Sequence, residues 1–185
     1  MKTRHRHHEP LGAMNTVKHH LVILAVMGML FMVCEVIIRV IGYPAPGRID
    51  MTVMSFWAFC GYTSLWMFPV GGVCGLLIGL MNEKILAAKL PYRLQVLLGG
   101  VIITAIELVS GLVLNVWLDL GIWDYSTFPL NFMGQICLPA SLLWVAMTPL
   151  AMWIDDVLRF YLIGGHKPET LWKYYRDLFC HNPDA

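Results

Sequence analysis

The sequence predicts an all-α polytopic membrane protein: a four-helix transmembrane bundle with an interrupted second span and a short cytoplasmic C-terminal helix. Three observations carry the prediction. Of 185 residues, 58% are hydrophobic and only 14% charged, where soluble domains carry about 25% charged residues. The apolar residues fall in continuous runs close to the ~20 residues needed to cross a bilayer core. Lys and Arg gather on alternate sides of those runs, which sets an orientation. The net charge of +1 says little; its distribution says much.

The chain divides into a basic tail (1–19), one transmembrane domain (20–159) and a second tail (160–185). Near the start, His5, His7, His8, His19 and His20 lie among basic residues. A His-rich tract can bind metal, but no second cluster completes a coordination sphere, so no metal site is expected. The first span, about 21–41, ends where Gly42 and Pro44 break the helix. It is too long for a signal-peptide core, and no small-x-small cleavage site follows it. It is expected to remain as an anchor.

The second apolar run is interrupted by Gly61-Tyr62-Thr63-Ser64 and by Pro69. The expected span is 65–81, after an interfacial or partly inserted lead. Irregular backbone at membrane depth survives only where protein or water covers it, so the Gly61–Pro69 stretch should pack inside the bundle or line a cavity. Gly71, Gly75 and Gly79 repeat at four-residue spacing, a small-residue stripe that lets another helix approach closely.

The third span is expected at 94–118 and the fourth at 132–157, with Pro139 and Pro149 as kinks. Beyond Gly164-Gly165, Leu171, Trp172, Tyr175, Leu178 and Phe179 recur at near-helical spacing. That pattern fits an interfacial helix on the inner leaflet, or a tail packed on the bundle's own end.

Positive residues cluster in the N-terminal tail (Lys2, Arg4, Arg6, Lys18), the 83–93 loop (Lys84, Lys89, Arg93) and the segment after the fourth span (Arg159, Lys167, Lys173, Arg176). The intervening loops hold Arg48 alone and none. Both termini are therefore expected in the cytoplasm, in a multi-pass arrangement in the inner membrane, with the Trp123–Ser126 loop outside.

Polar residues inside spans are costly and usually face protein or water. Glu35 and Arg39 are four apart on the first span and share a face. Glu107 lies mid-span on the third, followed by Ser110, Gly111 and Asn115, a stripe about 12 Å long. Asn131, Gly134 and Gln135 form a patch at the outer end of the fourth span. With the expected orientation these patches converge in the outer half of the membrane, next to Asp124 and Tyr125. The loop should then cap a polar cavity, with Asp124 or Asn131 satisfying backbone amides at the start of the fourth helix. The competing reading makes the same residues interhelical glue. Trp117 and Trp123 are expected at the outer interface, Trp153 near the inner one, and Trp144 packed in the bundle.

Absent motifs narrow the chemistry. There is no GxxxxGK[ST], HExxH, GxSxG or CxxC, so the chain carries no nucleotide site of its own and no recognisable catalytic or cofactor site. The five cysteines (Cys34, Cys60, Cys74, Cys137, Cys180) are an odd number, lying mostly within apolar runs, and read as thiols rather than a disulfide framework. No nucleic-acid-binding pattern occurs.

Specific stretches resemble a known family. "CEVIIRV" on the first span, Glu107 with Gly111 on the third, and "WDYSTFPLNFMGQICLPASLLW" are similar to the bacterial type IV ABC-transporter permease family of CmpB-like integral membrane proteins. The matching positions are Trp123, Asp124, Tyr125, Ser126, Pro129, Asn131, Gly134, Cys137 and Leu138, within a resemblance running from about Leu21 to Arg159. The second span departs from the pattern, keeping its Pro-x-x-Gly character alone. The resemblance implies a transporter subunit that works with a separate ATP-binding subunit in a homo- or hetero-oligomer.

Three functions are ranked. The first is an integral membrane transport component, an ABC-type permease subunit without its own ATPase. The second is a scaffold or sensor whose buried polar residues only pack helices. The third is a membrane-embedded enzyme acting on envelope or lipid-linked substrates through Glu107 or Asp124; it ranks last because no nucleophile or metal site accompanies them.

Overall fold

The computed structural model describes residues 13–42, 63–82, 90–163 and 167–179. It is mainly helical: α1 (Ala13–Gly42), α2 (Met67–Leu80), α3 (Tyr92–Gly111), α4 (Leu138–Ile163) and α5 (Leu171–Phe179), with strands β1 (Asn131–Phe132) and β2 (Ile136–Cys137) before α4. Among the described residues, Thr16–Ile38, Tyr92–Trp117 and Leu138–Leu162 are long and apolar enough to cross a membrane. The 14 residues of α2 span about 21 Å, less than the ~30 Å hydrocarbon core. The interrupted lead before α2 lies mostly outside the described residues, as do the first twelve residues with His5, His7 and His8.

Side chains on the outer faces are apolar. Leu21, Val109 and Leu142 are all more than half exposed, as expected where the solvent is lipid rather than water. Inside, the helices pair antiparallel, α1 on α2 and α3 on α4. Gly71 and Gly75 permit the first contact: a Cβ at Gly71 would sit 2.8 Å from Phe31 Cδ1, and one at Gly75 would sit 2.7 Å from Met27 Cγ. Gly79 faces the Asp155 carboxylate of α4 instead. The main core joins Cys74 and Ile78 of α2, Val96 and Ile103 of α3, and Trp144 and Met152 of α4.

One expected boundary moves. The fourth helix begins at Leu138 rather than 132, because residues 131–137 form a tight antiparallel hairpin pairing Asn131 with Cys137 and Phe132 with Ile136. The turn needs left-handed backbone at Met133 (φ 52°) and Gly134 (φ 69°), which no helix accommodates. Pro139 is consequently not a kink. It sits in the first turn of α4, where a missing N–H removes no helical bond. Pro149 is interior, and one turn before it the Ala146 carbonyl accepts a hydrogen bond from Tyr175 of α5 at 3.0 Å. Further ties dock α5: Tyr174 donates to Asp156, and Trp153 donates to the Glu169 carbonyl at 3.1 Å. Its outer face leaves Trp172 and Phe179 exposed.

Candidate functional site

The third helix changes pitch where its polar residues begin to matter. Leu112–Trp117 form a π-helical turn continuing α3, closed by Leu118 N–H donating to the Val113 carbonyl at 2.9 Å. Such widened turns reorient side chains and concentrate at functional sites. Here the turn carries Asn115, whose side chain accepts from Ile122 N–H at 2.7 Å and donates to the Trp123 carbonyl at 3.0 Å and to Gln135 Oε1 at 2.8 Å. Trp123 in turn donates its indole N–H to the Gln135 carbonyl at 2.9 Å. Asn115, Trp123 and Gln135 thus lock the connecting loop onto α3 and the hairpin. Trp123 spends its indole N–H within the protein.

About two turns from Asn115, Glu107 is buried on α3. Tyr125 donates its hydroxyl to Oε1 at 2.9 Å, and Trp144 of α4 donates its indole N–H to Oε2 at 2.8 Å. Each carboxylate oxygen is held by a neutral donor, and among the described residues no Lys or Arg forms an ion pair with Glu107. Ser110 does not join the network. Its hydroxyl turns back onto its own helix, donating to the Ile106 carbonyl at 2.7 Å, the usual resort of a serine inside a helix.

Asp124 and Asn131 form turns rather than the helix cap expected of them. Asp124 Oδ1 accepts from Ser126 N–H at 2.8 Å and Oδ2 from the Ser126 hydroxyl at 2.9 Å. Asn131 donates to the carbonyls of Ser126 and Phe128 and accepts from Gly134 N–H at 3.3 Å. The reason is the hairpin, which puts six residues between Asn131 and the first turn of α4. Gly134 is required twice over, by its positive φ and because a Cβ there would collide with the Asp124 carboxylate. A Cβ at Gly111 would meet Gln135 Oε1 at 2.6 Å.

Glu35 accepts a hydrogen bond from Thr63, next to fully buried Ser64. The Arg39 side chain, expected to pair with Glu35, lies outside the described residues. Glu35 also lines a half-open crevice among α1, α2, α3 and α4, whose other walls are apolar, including Phe31, Ile103 and Trp144. Among the described residues, the polar groups of α3, the loop and the hairpin bond to one another, and the crevice that Glu35 lines is otherwise apolar.

Sequence reasoning missed two parts of this arrangement. Trp144 was expected as packing alone, yet it carries one of the two donors to Glu107. A second polar centre sits near the other end of α4, where Asp155 and Arg159 are both buried and pair at 2.7 Å. Their neighbour Asp156 accepts from Asn82 at 3.1 Å and from Tyr174. The i,i+4 spacing of Asp155 and Arg159 was the available signal.

Apolar lipid-facing helices enclosing a buried carboxylate define an integral membrane protein. Residues 23–173 match the family model described as "Putative ABC-transporter type IV", and the chain belongs to that family. Comparison with curated proteins and with solved structures gave no match.

Proposed function

We propose that the protein is an integral membrane transport component, an ABC-type permease subunit that works with a separate ATP-binding subunit in an oligomer of the cytoplasmic membrane. The family match over residues 23–173 carries this reading. A buried carboxylate with no cationic partner among the described residues adds support, since ionisable groups at membrane depth commonly mark substrate or ion pathways. In this reading α2 is a fourth, short span, both termini lie in the cytoplasm, and Asp119–Asn131 faces outward. The polar groups engaged in function would be Glu35, Arg39, Glu107, Asn115, Tyr125 and Gln135.

The test is purification from native membranes in mild detergent. A P-loop subunit should co-purify in fixed stoichiometry, and its ATP hydrolysis should depend on this chain. A homogeneous assembly with no nucleotide-binding partner would favour the second reading, a scaffold or sensor. One observation speaks for that alternative: Asn115, Trp123 and Gln135 satisfy one another, as groups used only for packing would.

A further inference from the structure

At about 100° per residue, the side chains of α5 divide into an apolar arc and a polar one. Tyr174, Leu178, Leu171, Tyr175, Phe179 and Trp172 follow one another around about 160° of the helix. Arg176, Lys173 and Asp177 occupy the other side. The bundle covers only part of the apolar arc. Tyr174 and Leu178 pack against the core of α2, α3 and α4, whereas Trp172 is 74% exposed and Phe179 82%. These two share a face of the helix and form one uncovered shoulder, which exposed Arg176 borders.

What meets that shoulder follows from its height. Tyr175 donates to the Ala146 carbonyl at 3.0 Å, and Trp153 donates to the carbonyl of Glu169, just before α5, at 3.1 Å. Ala146 and Trp153 both lie well inside the span-length segment Leu138–Leu162. At the far end of α5 the Phe179 carbonyl accepts from Arg93 at 3.1 Å, beside Tyr92, where the next span-length segment starts. From there α3 turns Leu94, Leu97 and Val101 outward, all exposed. The shoulder therefore continues the lipid-facing surface of the bundle instead of hanging below it.

A phospholipid leaflet suits both halves of this surface. Amphipathic helices settle about 5–10 Å into the boundary between headgroups and acyl chains, and aromatic side chains concentrate at that level. An arginine fork matches phosphate oxygens. The contact of Arg176 with Asp177, at 3.5 Å, leaves about half of the arginine side chain exposed. A water-soluble partner would have to displace lipid to reach the same rings.

We propose that the shoulder of α5 is a phospholipid-binding surface: Trp172 and Phe179 insert into the leaflet at the bundle end where α3 starts, and Arg176 meets the lipid phosphates. The proposal stands apart from the transport reading, because lipid contact at α5 holds for a permease and a scaffold alike. Co-purification tests the one and lipid contact the other, so either can fail alone.

The experiment uses the full chain, with its native cysteines replaced, in nanodiscs of phosphatidylcholine and phosphatidylglycerol. A nitroxide is attached singly to Trp172→Cys, Phe179→Cys or Lys173→Cys. Its collisions are measured with oxygen, which favours hydrocarbon, and with a water-soluble nickel chelate. The labels at 172 and 179 should favour oxygen and read a depth of about 5–10 Å, while the label at 173 should favour the chelate. Chelate-dominated collisions at 172 and 179 would place the shoulder in water. Silence to both reagents would bury it against protein, such as a second copy of the chain. Either result overturns the proposal. Arg176→Gln, which needs no label, should speed amide exchange across α5 about fivefold in these nanodiscs. It should leave exchange unchanged in maltoside micelles, which carry no phosphate. Unchanged exchange in nanodiscs, or equal acceleration in both media, overturns the phosphate contact.

Discussion

The hydroxyl of Tyr125 donates to Glu107 Oε1 at 2.9 Å, tying the loop to α3 across 18 residues of chain. Tyr125→Phe removes the donor and leaves a buried carboxylate oxygen one partner short. The expected cost is about 1–3 kcal/mol, read as a lower thermal midpoint in detergent, with faster amide exchange in residues 119–134. Trp144→Phe should cost a similar amount. The double variant should fall short of the sum, because both donors serve one carboxylate. Strict additivity would mean that Glu107 does not couple them.

Glu107→Gln should be far milder than Glu107→Ala. Trp144 can only donate, so the amide oxygen of glutamine must face it. The amide NH₂ then meets the Tyr125 hydroxyl, which can rotate to accept. Glutamine thus satisfies both partners, and a loss within about 1 kcal/mol is expected. Alanine strands both donors and opens a cavity, for about 2–5 kcal/mol. Equal midpoints for the two variants would contradict this geometry.

Helix existence was legible in the sequence because lipid imposes it: a backbone surrounded by hydrocarbon must bond to itself, so apolar runs read as helices. The convergence of Glu107, Asn115, Tyr125 and Gln135 on one region also followed, from chain direction alone. What did not follow was local. The hairpin at 131–137 depends on left-handed backbone at Met133 and Gly134, and methionine gives no cue for that conformation. The π turn at 112–117 leaves no mark in an apolar run. Trp144 looked like packing because an indole N–H declares its acceptor only once α3 and α4 are set side by side.

The Asp155–Arg159 pair is buried and close, so severing it should cost more than replacing it. Arg159→Met alone is expected to lose about 3–5 kcal/mol. Asp155→Leu combined with Arg159→Met should recover much of that loss, since two apolar side chains need no charge compensation. A thermal-melt double-mutant cycle measures the coupling. A coupling near zero would mean that the pair is incidental to packing.

At α5, burial, and then the bond to Asp156, push the Tyr174 hydroxyl well above the ordinary tyrosine range. Absorbance titration should show Tyr174 ionising at higher pH than a free phenol, near 10, with that component missing in Tyr174→Phe. The sign for stability follows. Above about pH 10 the unfolded chain releases a proton that the folded chain still holds, so stability falls as pH rises towards the folded-state value. Tyr174→Phe should flatten that alkaline decline while weakening the docking of α5 at neutral pH. A decline unchanged by the substitution would assign it to another group.

The last prediction concerns sidedness. Ser126 is exposed at the turn it forms with Asp124, and no Lys or Arg lies between Trp117 and Trp144. Short loops without positive charge are the ones exported, and Lys84, Lys89 and Arg93 mark the opposite side. A single cysteine at Ser126, in a chain whose native cysteines are replaced, should react with a membrane-impermeant thiol reagent on intact cells. A cysteine at Lys89 should react only after the membrane is opened. Ser126 suits the test because its substitution leaves Asp124 a backbone amide to accept from, so the turn should survive. The reverse labelling pattern would invert the orientation and place the Glu107–Tyr125 contact on the cytoplasmic side.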